Sequence, residues 1–178
     1  MKKLLAALCG AALLAGCVNT SKSNRPLPPL KYLQDAPDFT LKNVLGGELK
    51  SEDFKGKVLV VDFWAYWCAP CKVEIPGYNE LRARYKDKGV EFIGVTFESG
   101  VADTVKTMKD LKIEYPVAMS TDKVDADFGG HIGYPTTFVV GKDYKIYRKI
   151  MGGTVLGRDK KEVLEHDIEE LLKKESSD

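Results

Sequence analysis

Excess charge of one sign is missing from this 178-residue chain: 27 lysines and arginines stand against 26 aspartates and glutamates, a formal net of +1. Setting aside residues 1–16, which carry only Lys2 and Lys3, shifts the balance to 25 against 26, or −1. A near-neutral chain with no basic stripe gives no reason to invoke nucleic acid, and the interspersed Glu and Lys have the pattern of a solvated surface. Histidine is scarce, at two residues, and cysteine numbers four. A zinc site needs four ligands, and no second cysteine pair joins Cys68 and Cys71 to supply them. Long apolar runs are also missing: Leu4 to Ala15 is too short to cross a bilayer in ordinary fashion. There are no internal repeats. What is present suffices for one compact domain with a real core, since 44% of the residues are hydrophobic.

The first residues have the pattern of an address. Met1-Lys2-Lys3 is a short basic segment, the apolar run follows, and it ends in Leu14-Ala15-Gly16-Cys17. Small residues before a cysteine resemble the lipobox of bacterial lipoproteins. That resemblance implies cleavage after residue 16 and a lipid on Cys17; the alternative is ordinary secretion, with Cys17 left as a spare thiol. Val18, rather than Asp, at the next position allows sorting to an outer membrane where one exists. Residues 17–34, with Pro26, Pro28, Pro29 and little to bury, are expected to form a tether. Extended at roughly 3 Å per residue it would reach about 50 Å. Packing of this segment on the domain is the alternative. Residues 35–178 are expected to be the folded domain.

Cys9 leaves with the leader and Cys17 is assigned to lipid, so only Cys68 and Cys71 remain as thiols. A bridge between them closes so short a loop that it constrains the unfolded chain little and stabilises poorly. Its place suggests a working role instead. Val58 to Ala65 reads as a buried strand, and helical spacing begins directly after Trp67-Cys68-Ala69-Pro70-Cys71. Backbone N–H groups at a helix start favour negative charge, which lowers the pKa of a thiol placed there. Cys68 is therefore expected to be the attacking thiol and Cys71, one turn inside, the resolving one. An inert bridge is the bland alternative.

The remaining chain alternates. Phe39–Val44 and Glu48–Lys50 read as a hairpin across Gly46-Gly47. Cys71, Ile75, Tyr78, Leu81 and Tyr85 mark the buried face of the helix after the cysteines. Val90–Phe97 reads as a second buried strand, and Val101, Val105, Met108 and Leu111 as one face of another helix. Pro116–Met119, Thr136–Val140 and Lys145–Ile150 read as strands, the last two antiparallel, with Asp122–Phe128 as a helical turn. Val163, Leu164, Ile168, Leu171 and Leu172 line a closing helix. The expected class is α/β, a mixed sheet covered on both sides.

Together, Ala36-Pro37-Asp38-Phe39, Phe63-Trp64-Ala65, the Cys68–Cys71 pair, Pro76 and Tyr134-Pro135-Thr136-Thr137-Phe138 resemble the thioredoxin fold. Within it, the chain resembles the membrane-anchored TlpA/ResA/DsbE-like group, which adds an N-terminal hairpin and a central insert. The resemblance implies a cis-proline at Pro135 facing the cysteines, with the Tyr134 backbone turned toward substrate and Trp67 beside it. Pro76 would kink the catalytic helix. Asp62 matches thioredoxin's buried acid and would pass a proton to or from Cys71, although no lysine partner can be named for it. Glu74 matches an acid found near the site in parts of that branch; it would tune the thiols or contact a partner, or be an exposed helix carboxylate. Lys72, Thr136, Thr137 and His166 have ordinary structural or solvated readings.

The implied activity is thiol–disulfide exchange outside the cytoplasm by a monomer needing no metal or cofactor. Its substrates would be cysteine pairs of other proteins, for example the haem-binding cysteines of apocytochrome c. Its electrons would come from a membrane-embedded thiol donor. Two alternatives remain open. His131 near Pro135 raises a copper carrier, although copper-delivering relatives carry C-x-x-x-C. A peroxide reductase shares the Ala-Pro-Asp-Phe start, but Ala65 stands where its threonine belongs.

Overall fold

A computed structural model describes residues 26–97, 100–130, 133–155 and 157–174. The leader, Cys17 and His131 lie outside the described residues.

A six-stranded mixed sheet organises the chain, in the order β1 (Gln34–Asp35), β8 (Lys145–Met151), β7 (Thr136–Val140), β4 (Val58–Trp64), β5 (Val90–Thr96) and β6 (Val117–Met119). Strands β4, β5 and β6 run parallel, whereas β7, β8 and β1 continue the sheet antiparallel. The central strand β4 is an apolar run broken only by Asp62 and is buried at every residue, as a strand covered on both faces must be. Alternation along it divides the core. Val58, Val60 and Trp64 point to one side, with α1 (Ala69–Tyr85), the end of α2 (Val101–Asp110) and α4 (Lys160–Lys174). Leu59, Val61 and Phe63 point to the other. There they meet Phe39, Leu41 and Phe54 from around the hairpin β2 (Thr40–Lys42) and β3 (Glu48–Lys50), together with Val124 and Phe128 at α3 (Asp122–Asp127). Asp62 shares the parity of Val60 and Trp64, so it faces the helices. A small ribbon, β9 (Thr154–Val155) with β10 (Arg158–Asp159), precedes α4.

The expected fold class stands, and three details differ from the sequence reading. The segment assigned to a tether belongs to the domain in its later part. Leu27 and Leu30 pack on the core, the Leu33 N–H donates to Ile146 O at 2.9 Å, and Gln34 pairs with Ile146 in β1. Arg148 adds a 2.9 Å hydrogen bond to Pro28 O while its guanidinium pairs with buried Asp167. Helix α2 is rotated from its expected face. Thr104, Thr107 and Met108 are buried, Val101 is 41% exposed, and Val105 is only half-buried. Helix α1 fixes that rotation, because Asn79 Nδ2 donates to Leu111 O and Lys112 O at 3.0 Å each. Phe97, expected inside a strand, lies past the end of β5 and is exposed.

Candidate active site

Cys68 caps the N-terminus of α1, and Pro70 stands in the first turn, where a missing N–H costs nothing. Cys68 and Cys71 form a disulfide with their Cα atoms 5.3 Å apart. The Cys68 sulfur also accepts a hydrogen bond from the Cys71 N–H at 3.3 Å. Negative charge on that sulfur would meet the first backbone donor and the positive end of the helix, which is the arrangement that favours a thiolate. Both cysteines are buried, Cys71 more deeply.

The rim is aromatic and apolar. Trp67 is 60% exposed and meets Tyr134 edge to face at 5.7 Å between centroids. The Tyr134–Pro135 bond is cis, as the resemblance implied. Met151, opposite Thr136 in the β7–β8 register, and Val73 on α1 are both exposed nearby on these elements.

Beneath the helix lies a polar cluster that the sequence reading only half anticipated. Asp62 faces α1 and α4 across β4. The Thr137 hydroxyl donates to Asp62 Oδ1 at 2.9 Å and lies 3.2 Å from the Tyr78 hydroxyl. Tyr78 donates to Glu74 Oε2 at 2.9 Å. Lys160, 1% exposed, donates to Glu74 Oε2 at 2.8 Å and to Thr137 Oγ1 at 3.2 Å. Glu74 is thus no free surface carboxylate: its side chain is 10% exposed and pairs with a buried ammonium. The lysine partner that could not be named for Asp62 comes from the first residue of α4, reaching it through Thr137.

Burial pushes the Asp62 carboxyl up from 3.8 to about 7. The Lys160 charge and the Thr137 hydrogen bond pull it down, while the Glu74 charge adds to the rise. A carboxyl poised there can both take and return a proton near neutrality. Burial, with the charges of Asp62 and Glu74, holds the Tyr78 and Tyr115 phenols well above their usual 10, so both stay neutral.

A cleft of about 400 Å³ opens beside this cluster, between α1 and the β9–β10 ribbon. Pro70, Val73, Glu74, Gly153 and Lys160 are among its lining residues. Gly153 roofs Glu74 closely; a Cβ there would stand 3.2 Å from Glu74 Oε1. Among the described residues, no group of three or more His, Cys, Asp and Glu side chains is placed to hold a metal, and no helix is long and apolar enough to cross a membrane.

Thr137, Tyr78 and Lys160 were missed as members of the site. One signal was available for the lysine: residues 160, 163, 164, 167, 168 and 171 form one helical stripe, and its polar members, Lys160 and Asp167, are both fully buried.

The AhpC/TSA family profile matches residues 33–149. The thiol-disulfide oxidoreductase ResA of Bacillus thuringiensis subsp. konkukian is 33% identical over 141 residues, covering 79% of this chain and 76% of the relative. ResA of Bacillus subtilis strain 168 is 32% identical over 139 residues, covering 78% and 74%. Among solved structures, a thiol:disulfide interchange protein of the thioredoxin family from Chlorobium tepidum TLS superposes with a TM-score of 0.69 at 29% identity, over 82% of this chain and 99% of that one. A secreted Mycobacterium tuberculosis disulfide oxidoreductase shares the fold, at 17% identity and a TM-score of 0.63. The chain belongs to the AhpC/TSA family and, within it, to the ResA-type thiol–disulfide oxidoreductases.

Proposed function

We propose that this oxidoreductase works outside the cytoplasm as a reductant of cysteine pairs in other proteins, tethered to a membrane by a lipid on Cys17. The Cys68 thiolate attacks one sulfur of a substrate disulfide, and the other substrate sulfur leaves as a thiolate. Cys71 then gives its proton to Asp62, attacks Cys68 Sγ, and releases the substrate's second thiolate. Two electrons pass to the substrate and the Cys68–Cys71 disulfide is left, to be reduced again by a membrane-embedded thiol donor. Trp67, Tyr134 and Pro135 receive the substrate chain around its cysteine, and Glu74 tunes the polar cluster below. The haem-binding cysteines of apocytochrome c are the leading substrate, and no metal takes part.

The observation that carries this reading is the position of Cys68: its sulfur caps α1 under the Cys71 N–H, with exposed Trp67 against half-buried Tyr134 beside it. The reduction potential of the Cys68–Cys71 pair, measured against thioredoxin and glutathione buffers, tests the direction. A value near thioredoxin's roughly −270 mV supports a reductant; one near DsbA's roughly −120 mV overturns it.

A further inference from the structure

Asp62 is 2% exposed, and its second oxygen, Oδ2, is shut in without a hydrogen-bond partner. A proton taken from Cys71 therefore cannot leave Asp62 directly to water, yet it must leave before the next turnover. Among the described residues, the charged and titratable groups that face Asp62 are Glu74 and Tyr78 on α1, Lys160 on α4, and Tyr115 ahead of β6, besides the Thr137 hydroxyl on β7. Tyr115 has no hydrogen-bond partner among the described residues and leads nowhere. Thr137 is different. It is 2.9 Å from Asp62 Oδ1 and 3.2 Å from the Tyr78 hydroxyl, a contact in which either oxygen can donate. Tyr78 is in turn 2.9 Å from Glu74 Oε2, and Glu74, whose side chain is 10% exposed, lines the cleft; its Oε1 is shut in as Asp62 Oδ2 is, so Oε2 is the atom that must pass the proton on.

We propose that Thr137 and Tyr78 form a hydroxyl wire that carries the proton accepted by Asp62 out to Glu74 and the cleft, with Lys160 as the positioning residue that holds its elbow. This rests on the reading of Asp62 as the acceptor for Cys71. The transfer moves one proton and no electrons. The protonated Asp62 donates to Thr137 Oγ1, the Thr137 hydrogen passes to Tyr78, and the Tyr78 hydrogen passes to Glu74 Oε2. Water in the cleft then removes the proton from Glu74 Oε2, and rotation of the two hydroxyls restores the starting pattern. Lys160 donates to both Thr137 and Glu74, so one buried ammonium keeps the first hydroxyl and the exit carboxylate in register. Gly153 leaves room at the mouth, where any Cβ would press on Glu74.

The test uses the reduced domain and dithiobis-nitrobenzoate, an aromatic disulfide whose product thiolate stays ionised, so that the Cys71 proton must appear in solution. Stopped-flow absorbance follows release of the second thiolate, and a pH dye follows the proton. In the parent the two should keep pace. In Thr137→Val and in Tyr78→Phe the proton should lag the thiolate by roughly tenfold. Thr137→Ser, which restores a hydroxyl, should restore the pace. If the valine and phenylalanine variants show no lag, or if the serine variant lags as valine does, the wire is overturned. Should Thr137→Val fail to fold, Tyr78→Phe decides alone. Asp62→Asn separates the underlying reading: an unslowed second thiolate in that variant removes Asp62 as acceptor, whatever the hydroxyl variants do.

Discussion

Asp62 and Thr137 stand directly opposite one another in the antiparallel register of β4 and β7, and the Thr137 hydroxyl donates to the Asp62 carboxylate at 2.9 Å. Their pairing is a consequence of period-two alternation on both strands. Asp62 follows Val58 and Val60 toward the helices, and Thr137 shares that face with Val139. A one-residue slip between the strands would turn one of the two polar groups into the opposite, largely apolar layer, so the apolar pattern that sets the sheet also sets the polar contact. The site's acid is positioned by hydrophobic burial.

Its protonation should be visible in stability as well as in rate. The folded value, about 7, lies above the ordinary 3.8, so the protonated form favours the fold. That contribution is whole below the ordinary value and is lost as pH rises through about 7. Asp62→Asn should therefore melt higher than the parent at pH 8, with a gain of up to about 4 kcal/mol, and lose the advantage in mild acid. Its second-step exchange should be slower by roughly a hundredfold near neutrality, with no acid limb near pH 7. Thermal melts and pH–rate profiles check both halves.

Replacing Lys160 by methionine should cost about 3–5 kcal/mol, because it strands the Glu74 carboxylate in a nearly closed site. Glu74→Gln in the same chain should recover much of that loss. Urea unfolding of the two single variants and the double variant measures the coupling; additive losses would show that the pair is not one unit.

Cys71→Ser should leave partners bound to Cys68, since the thiol that resolves the mixed disulfide is gone. Adducts should appear on non-reducing gels of cells expressing the variant and vanish with dithiothreitol. A clean gel counts against the exchange scheme.

Gly94→Ala tests packing behind the site. The added methyl would sit 2.7 Å from Trp64 Nε1 and 3.1 Å from Val117 Cγ2. Overpacking of this kind costs about 1–3 kcal/mol, to be read from chemical denaturation.

Cys17→Ala should move the protein out of the membrane fraction and abolish labelling by a palmitate analogue. Unchanged membrane fractionation would contradict the proposed lipid.

Much of this architecture is legible in the chain because its signals are local. The run Val58–Trp64 is apolar enough to demand cover on both faces, and the stripe Cys71, Ile75, Tyr78, Leu81 and Tyr85 is buried at each position. The two cysteines and Pro135 are equally local. What escaped were contacts made across the fold by residues with bland local readings. Thr137 is an unremarkable strand residue until Asp62 is placed opposite it, and Lys160 is one lysine among many until α4 docks on α1. The rotation of α2 escaped for the same reason, since Asn79 on α1 holds the end of that helix.

The hold of Arg148 on Pro28 O, with Leu27 and Leu30 lying on the core, changes how far the domain can stray. With the proposed lipid on Cys17, only residues 18–26 remain to span the gap, a reach of about 30 Å when fully extended rather than about 50 Å. On that proposal, partners would have to come to a shallow layer over the bilayer to meet Cys68. A soluble fragment intended to report on the native fold should accordingly begin no later than Pro26, because one cut at the start of β1 would bare a strip of core and leave Arg148 without its carbonyl.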